Sequence, residues 1–157
     1  MSNTVSENAK FNVSRSSSGD DDDGEKIVID DYINGAVLPL KPEQDIYEAA
    51  KFLSKEKITG APVLDEDKRL IGFLSEKDCL KHAFDAKYNS LPPGTVQDYM
   101  SKSLIVVQSG ADLFEVVELF IRHHFQAYPV LKGEQYIGII QRASVLKAVQ
   151  KIKDKVW

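Results

Sequence analysis

The chain has 157 residues, of which 43% are apolar and 28% charged, with a formal charge of −4 and a single cysteine. That length gives room for one domain, or for two small ones sharing a core. No apolar run approaches the ~18 residues of a membrane span, Cys79 alone allows no intrachain disulfide, and no basic field exists to hold nucleic acid, so a cytoplasmic protein is expected.

Residues 1–26 read as a disordered acidic tail. They carry six acids against Lys10, Arg15 and Lys26, culminate in SRSSSGDDDDGE, and have too little apolar surface to offset ordering entropy. The opening residues show neither the basic start nor the apolar stretch of a secretory signal. Adjacent aspartates without a folded loop do not converge on one cation, so the run is expected to be solvated.

From Asp30 onward the chain repeats itself. Asp31-Tyr32 recurs 67 residues later as Asp98-Tyr99, and Pro62-Val63-Leu64 as Pro129-Val130-Leu131; Gly72 recurs after 66 as Gly138, so one residue is lost between. Each copy opens with a short extended piece, at residues 36–40 and 104–107. A helix follows, with Ile46, Ala49, Ala50 and Leu53 as its apolar stripe and Leu113, Val116, Val117 and Phe120 as the counterpart. Two strands come next, at 61–64 and 70–74, then again at 127–131 and 136–140, each pair joined by a turn short enough for a hairpin. A second helix closes each copy, with Cys79, Leu80 and Ala83 matching Val145, Leu146 and Val149.

The fold class is therefore α+β, built of two βαββα units. The first repeat covers 30–88, a linker 89–95 where Pro92-Pro93 stop the preceding helix, and the second repeat with its C-terminal helix 96–157. Neither copy alone buries much of its surface, so the two are expected to pack as a pair.

These residues resemble a tandem CBS (cystathionine-β-synthase) domain protein, a stand-alone CBS pair or Bateman module. The matching pieces are DIYEAAKFLSKEKI, GAPVLD and GFLSEKDCL with their partners DLFEVVELFIRHHF, AYPVLK and GIIQRASVL, so the resemblance spans about residues 30–150. It implies two repeats around a pseudo-twofold axis, with a cleft that holds AMP, ADP, ATP or another adenosyl ligand. It also implies a regulatory role without catalysis or cofactor. A homodimer is expected from the same resemblance. Because tail and repeats account for the whole sequence, the regulated target is expected to be a separate protein.

The family's ligand signature is a glycine, a Ser or Thr three residues on, and an Asp three further. Here it reads Gly72-Phe73-Leu74-Ser75-Glu76-Lys77-Asp78. A helix N-terminus suits phosphate, Ser75 and Lys77 add a hydroxyl and a charge, and the Asp78 carboxylate can accept from both ribose hydroxyls. Ser-x-x-Asp before an apolar run is equally a helix cap, and both roles can coexist. The resemblance adds Met100, Ser103, Leu104, Ile105, Phe125, Gln126 and Ala127 as lining. Phe125 on its own reads as core.

The second copy, Gly138-Ile139-Ile140-Gln141-Arg142-Ala143-Ser144, lacks the acid, and Ser144 supplies no carboxylate for a ribose. A second site of different chemistry would comprise Arg142 and Ser144 with Ile33, Leu38, Ile58, Thr59 and Gly60. Two further function classes stay open: a ligand-free dimerisation or partner-docking module, and a divalent-cation sensor. His123-His124 point about 100° apart on a helix and cannot chelate one ion together, so no metal site is expected. Cys79 reads as a small core residue, and Trp157 as packing on the partner repeat or another chain.

Overall fold

The computed structural model describes residues 9–13 and 26–157. Strand β1 is Ala9–Val13. A short 3-10 turn, Ile29–Tyr32, precedes helix α1, Ile46–Glu56, and the hairpin strands β2, Gly60–Leu64, and β3, Leu70–Ser75. Helix α2, Glu76–Tyr88, and the single turn α3, Val96–Tyr99, lead to β4, Leu104–Gln108. Then come α4, Leu113–Arg122, β5, Ala127–Lys132, β6, Gln135–Gln141, α5, Arg142–Lys151, and a last turn α6, Lys153–Val156. The α+β class expected from the sequence is present; the βαββα order is complete in the second copy, and in the first the opening strand is reduced to isolated bridges.

Two compact units result, and their limits are not those of the sequence repeats. One contains Val37–Leu104; the other contains Ile105–Trp157 together with the stretch ending at Ala36. Each unit thus takes the opening segment of the other's repeat. In the first, β2 pairs antiparallel with β3, and Leu40 forms a lone parallel bridge to Val63. The extended piece expected at 36–40 is therefore a single bridging residue. In the second, a four-stranded sheet runs in the order β1-β4-β5-β6, with β4 parallel to β5 and β5 antiparallel to β6.

The strand β1 departs from the tail expected of residues 1–26. Ala9, Phe11 and Val13 alternate with Lys10 and Asn12, a period-two pattern that suits strand pairing. The acidic run lies outside the described residues.

The helices begin where the sequence supplies caps. Asp45 accepts from the Glu48 N–H at 3.0 Å to start α1, and Asp112 accepts from the Phe114 N–H at 2.8 Å to start α4. α1 stops at Lys57, which takes the left-handed conformation, φ 54°. Ile46, Ala49 and Leu53 of its stripe are buried, as are Leu113 and Val116 of the counterpart. In the second unit these two join Ile29, Val107, Tyr128, Val130, Ile140, Val145 and Ala148 in one core. Tyr128 donates its hydroxyl to the Leu119 carbonyl at 2.9 Å, and burial pushes its phenol up to about 12.

α2 breaks the symmetry: it has no buried residue. Cys79, expected in the core, is only half-buried, and Leu80 is exposed. Burial, then the neighbouring Asp78 and Glu76 charges, push the Cys79 thiol up to about 11, so it stays protonated and unreactive at neutral pH. α2 packs against α1, β3 and α3. Tyr99 stacks edge-on against His82 at 4.9 Å and donates to Asp85 at 3.4 Å. Trp157 is exposed, without the packing expected of it within the chain.

α3 is held by a reciprocal cap. One oxygen of Asp98 accepts from the Thr95 N–H and from its hydroxyl, both at 2.9 Å. These bonds, backbone first, hold the Asp98 carboxyl below its ordinary value. A lowered carboxyl stabilises the fold above its ordinary pKa, and the gain is lost as pH falls through the folded value. The acid limb of the melting-temperature profile, between about pH 5 and 2, should therefore be shallower for Asp98→Asn than for the parent chain. Superposable limbs would contradict this assignment.

Candidate functional site

The first unit builds its site at the β3–α2 junction. Gly72 stands where any Cβ would run into the Met100 side chain, so only glycine lets residue 100 lie this close without displacement. One residue on, β3 takes a partner from the second repeat's opening segment. Phe73 donates to the Ser101 carbonyl at 3.0 Å and Ser101 donates back at 2.9 Å. The Ser101 hydroxyl then donates to the Ser103 carbonyl at 3.3 Å. The Phe73 ring is buried and lies against Gly60, where a Cβ would collide with it.

Ser75 ends β3 and caps α2. Its Oγ accepts from the Asp78 N–H at 3.2 Å, while Asp78 Oδ2 accepts from the Ser75 N–H and hydroxyl, both at 2.9 Å. The first helical N–H, of Glu76, donates to the Thr59 carbonyl at 3.0 Å. The cap saturates Asp78 Oδ2, whereas Oδ1 accepts no hydrogen bond from the described residues. The carboxylate is thereby fixed in orientation with one oxygen in reserve. Both Ser75 and Asp78 are partly exposed, and Lys77 is exposed beside them. The Thr59 hydroxyl nearby is buried without a partner.

The second unit repeats the frame and omits the chemistry. Asn34 and Ile139 exchange backbone bonds at 2.8 and 3.1 Å, the counterpart of Ser101 and Phe73. Gly138 sits at φ +152°, and a Cβ there would fall within 3 Å of the Asn34 carbonyl and of Ile33. The Arg142 N–H donates to the Gln126 carbonyl at 2.9 Å, as Glu76 does to Thr59. Gln141 caps α5 with no side-chain bond, and Ser144 stands where Asp78 stood.

Of the residues expected to line the first site, Phe73, Ser75, Lys77, Asp78, Met100, Ser103 and Leu104 fall in the first unit. Ile105, Phe125, Gln126 and Ala127 fall in the second. Ile105 and Ala127 are buried there, and Gln126 is exposed. Phe125, read alone as core, is exposed with its ring edge-on to Tyr128 at 5.9 Å: it follows the end of α4 instead of lying on a strand. Of the other set, Arg142, Ser144 and Ile33 are in the second unit, and Leu38, Ile58, Thr59 and Gly60 in the first. Leu38 is exposed and Ile58 buried. His123 ends α4 and His124 is exposed. Ser101 and Asn34, which carry the backbone pairing, were missed. The signal was their place in the 67-residue repeat, two residues after the recurring Asp-Tyr pair.

Comparison with known proteins gives this frame its class. The CBS domain family matches the chain twice, at residues 29–85 and 96–151. The chain belongs to the CBS domain family, as a tandem pair. It is similar to CBSX2 of Arabidopsis thaliana, solved in complex with AMP, at 27% identity and a TM-score of 0.69, covering 80% of this chain and 98% of that one. The CBS-domain protein ATU1752 of Agrobacterium tumefaciens matches at 26% identity and TM-score 0.71, over 81% and 96% of the two chains. Among sequence relatives, inosine-5'-monophosphate dehydrogenase of Aquifex aeolicus is 32% identical over 112 residues, 70% of this chain. The MJ1225 protein of Methanocaldococcus jannaschii is 27% identical over 111 residues, 71% of this chain. The chain spans only 22% and 39% of those two relatives' lengths. No helix among the described residues is long and apolar enough to cross a membrane.

The glycine contacts differ in a measurable way. Gly138→Ala forces a Cβ against backbone, while at Gly133, φ +62°, nothing lies within 4 Å. Gly138→Ala should lower stability in urea by about 2–4 kcal/mol, and Gly133→Ala by only about 1 kcal/mol. Equal costs would show that the Asn34 approach is not tight.

Proposed function

We propose that this chain is a regulatory module, not a catalyst, which binds an adenosine nucleotide and acts on a separate protein. The ligand is AMP, ADP, ATP or a related adenosyl compound, held by residues 72–78 together with residues 100–104. One observation carries the reading: the cap fixes the Asp78 carboxylate on Oδ2 and leaves Oδ1 to accept from a ribose diol. The Ser75 hydroxyl, which both donates and accepts within the cap, can rotate its donor toward a phosphate. Lys77 adds positive charge at the same helix end. CBSX2, similar over nearly its whole length, is a protein that binds AMP. Lacking the acid, the second signature supports one adenosine per chain and not two. A second copy of the chain is the expected partner in assembly.

A ligand-free docking module is the second reading, favoured by the exposed apolar side chains of α2. Calorimetric titration with AMP, ADP, ATP and S-adenosylmethionine separates the two. At least one should bind. Asp78→Ala should weaken it ten- to a hundredfold, as expected for a charged hydrogen bond, while lowering stability by only about 1 kcal/mol, the worth of a cap. Silence from all four up to about 1 mM, with no thermal shift, would leave the docking reading.

A further inference from the structure

The two strand–helix junctions place different side chains on their glycines. Over Gly72 lies the Met100 thioether: a Cβ there would stand 2.8 Å from its Cγ and 3.1 Å from its Cε, with the Sδ nearer still. Over Gly138 lies Ile33, whose Cγ2 would be 2.7 Å from a Cβ. The two side chains correspond in the repeat, since Met100 follows Asp98-Tyr99 as Ile33 follows Asp31-Tyr32. One contact is therefore hydrocarbon. The other carries a sulfur that can accept oxygen.

The backbone on either side of the thioether is held. The Met100 N–H donates to the Val96 carbonyl at 2.9 Å, and Ser101 exchanges bonds with Phe73 at 3.0 and 2.9 Å. α3, just before it, is fixed by the Thr95–Asp98 cap and by the Tyr99 hydroxyl, which donates to Asp85 at 3.4 Å. Gly72 is buried, whereas Met100 is partly exposed and so open to a small solute. Oxidation turns a flexible apolar side chain into a polar, chiral one that is larger by an oxygen. Gly72 has no side chain to yield or to donate a hydrogen bond, so a sulfoxide packed on it is crowded and poorly solvated. Relief comes when residue 100 draws back, taking Ser101 away from Phe73.

We propose that Met100 is an oxidative modification site, through which hydrogen peroxide loosens the frame of the first junction and leaves the second intact. The sulfur lone pair attacks one peroxide oxygen. The O–O bond breaks, an S–O bond forms, sulfur loses two electrons, and the second oxygen leaves as water once the proton has shifted to it. Cys79, the single thiol, competes poorly, because burial and the neighbouring acids push it up to about 11 and keep it protonated. Weaker nucleotide binding follows from the looser frame, and that consequence alone rests on the function proposed above.

The test treats the full chain with hydrogen peroxide, counts oxygen on the Met100 peptide by mass spectrometry, and follows amide exchange by NMR. Oxidised chain should exchange about tenfold faster at Phe73 and Ser101, the worth of one or two hydrogen bonds, with Asn34 and Ile139 unchanged. The two methionine sulfoxide reductases, one for each epimer, should restore slow exchange. Met100→Ile, which copies the second junction, and the near-isosteric Met100→Leu should each exchange alike before and after peroxide. A sulfoxide at Met100 with unaltered exchange overturns the proposal, as does a Met100 that stays reduced while free methionine in the same tube is oxidised. Equal acceleration at both junctions, or acceleration that persists in both variants, overturns it too. A frame that loosens on oxidation in a chain that binds none of the four adenosyl compounds keeps the oxidation site and removes only the nucleotide reading.

Discussion

Two reciprocal pairs of backbone hydrogen bonds organise this protein: Phe73 with Ser101, and Ile139 with Asn34. Each joins the signature strand of one repeat to the opening segment of the other. At each a glycine directly precedes the pairing residue: a Cβ at 138 would meet the Asn34 backbone, and one at 72 the Met100 side chain. Everything local to the candidate site follows from the first pair. It brings Met100 and Ser101 beside Gly72 and Phe73, although the two stretches are separated in sequence by a helix and a proline-rich linker. The exchange also explains why a single βαββα copy is not the unit of folding. Removing either opening segment would strip a strand partner from the other repeat's hairpin.

At the junction, the proposed binding chemistry would use the same atoms as the helix cap. The cap on α2 stabilises the helix by about 1 kcal/mol, and it simultaneously immobilises Asp78 with one oxygen available. Preorganisation of that kind lowers the entropy cost of holding a ligand. In the second unit the frame survives at Asn34, Gly138 and Ile139, while Gln141 and Ser144 have lost both cap and acid. Backbone pairing and the Ser–Asp cap are thus separable features of the same motif.

The repeat, its hairpins and its helices were legible because they rest on periodicity and on residue pairs recurring at 67 and 66. The cap at Ser75 and Asp78 was legible from Ser-x-x-Asp ahead of a helix, and its reading as a ligand signature came from the resemblance. The exchanged opening segments were not, since Ser101 and Asn34 pair through backbone atoms that any residue supplies. The environment of α2 was also hidden. Cys79 matches the buried Val145 of α5, so pattern alone put it inside, whereas α2 has no fully buried residue. Phe125 was misread because a large aromatic after a helix has no periodicity to mark its surroundings. Strand β1 was missed because a five-residue alternation within a polar, acidic stretch is too short to outweigh composition.

The central claim is the proposal that the frame set by the Phe73–Ser101 pairing, with the Asp78 carboxylate on the same β3–α2 junction, makes a nucleotide site in the first unit only. Amide hydrogen exchange with and without saturating AMP tests it most directly. AMP should slow exchange at Ser101, Phe73 and Asp78 and leave Asn34, Ile139 and Ser144 unchanged. Protection confined to Asn34, Ile139 and Ser144, or equal at both sets, would contradict the account.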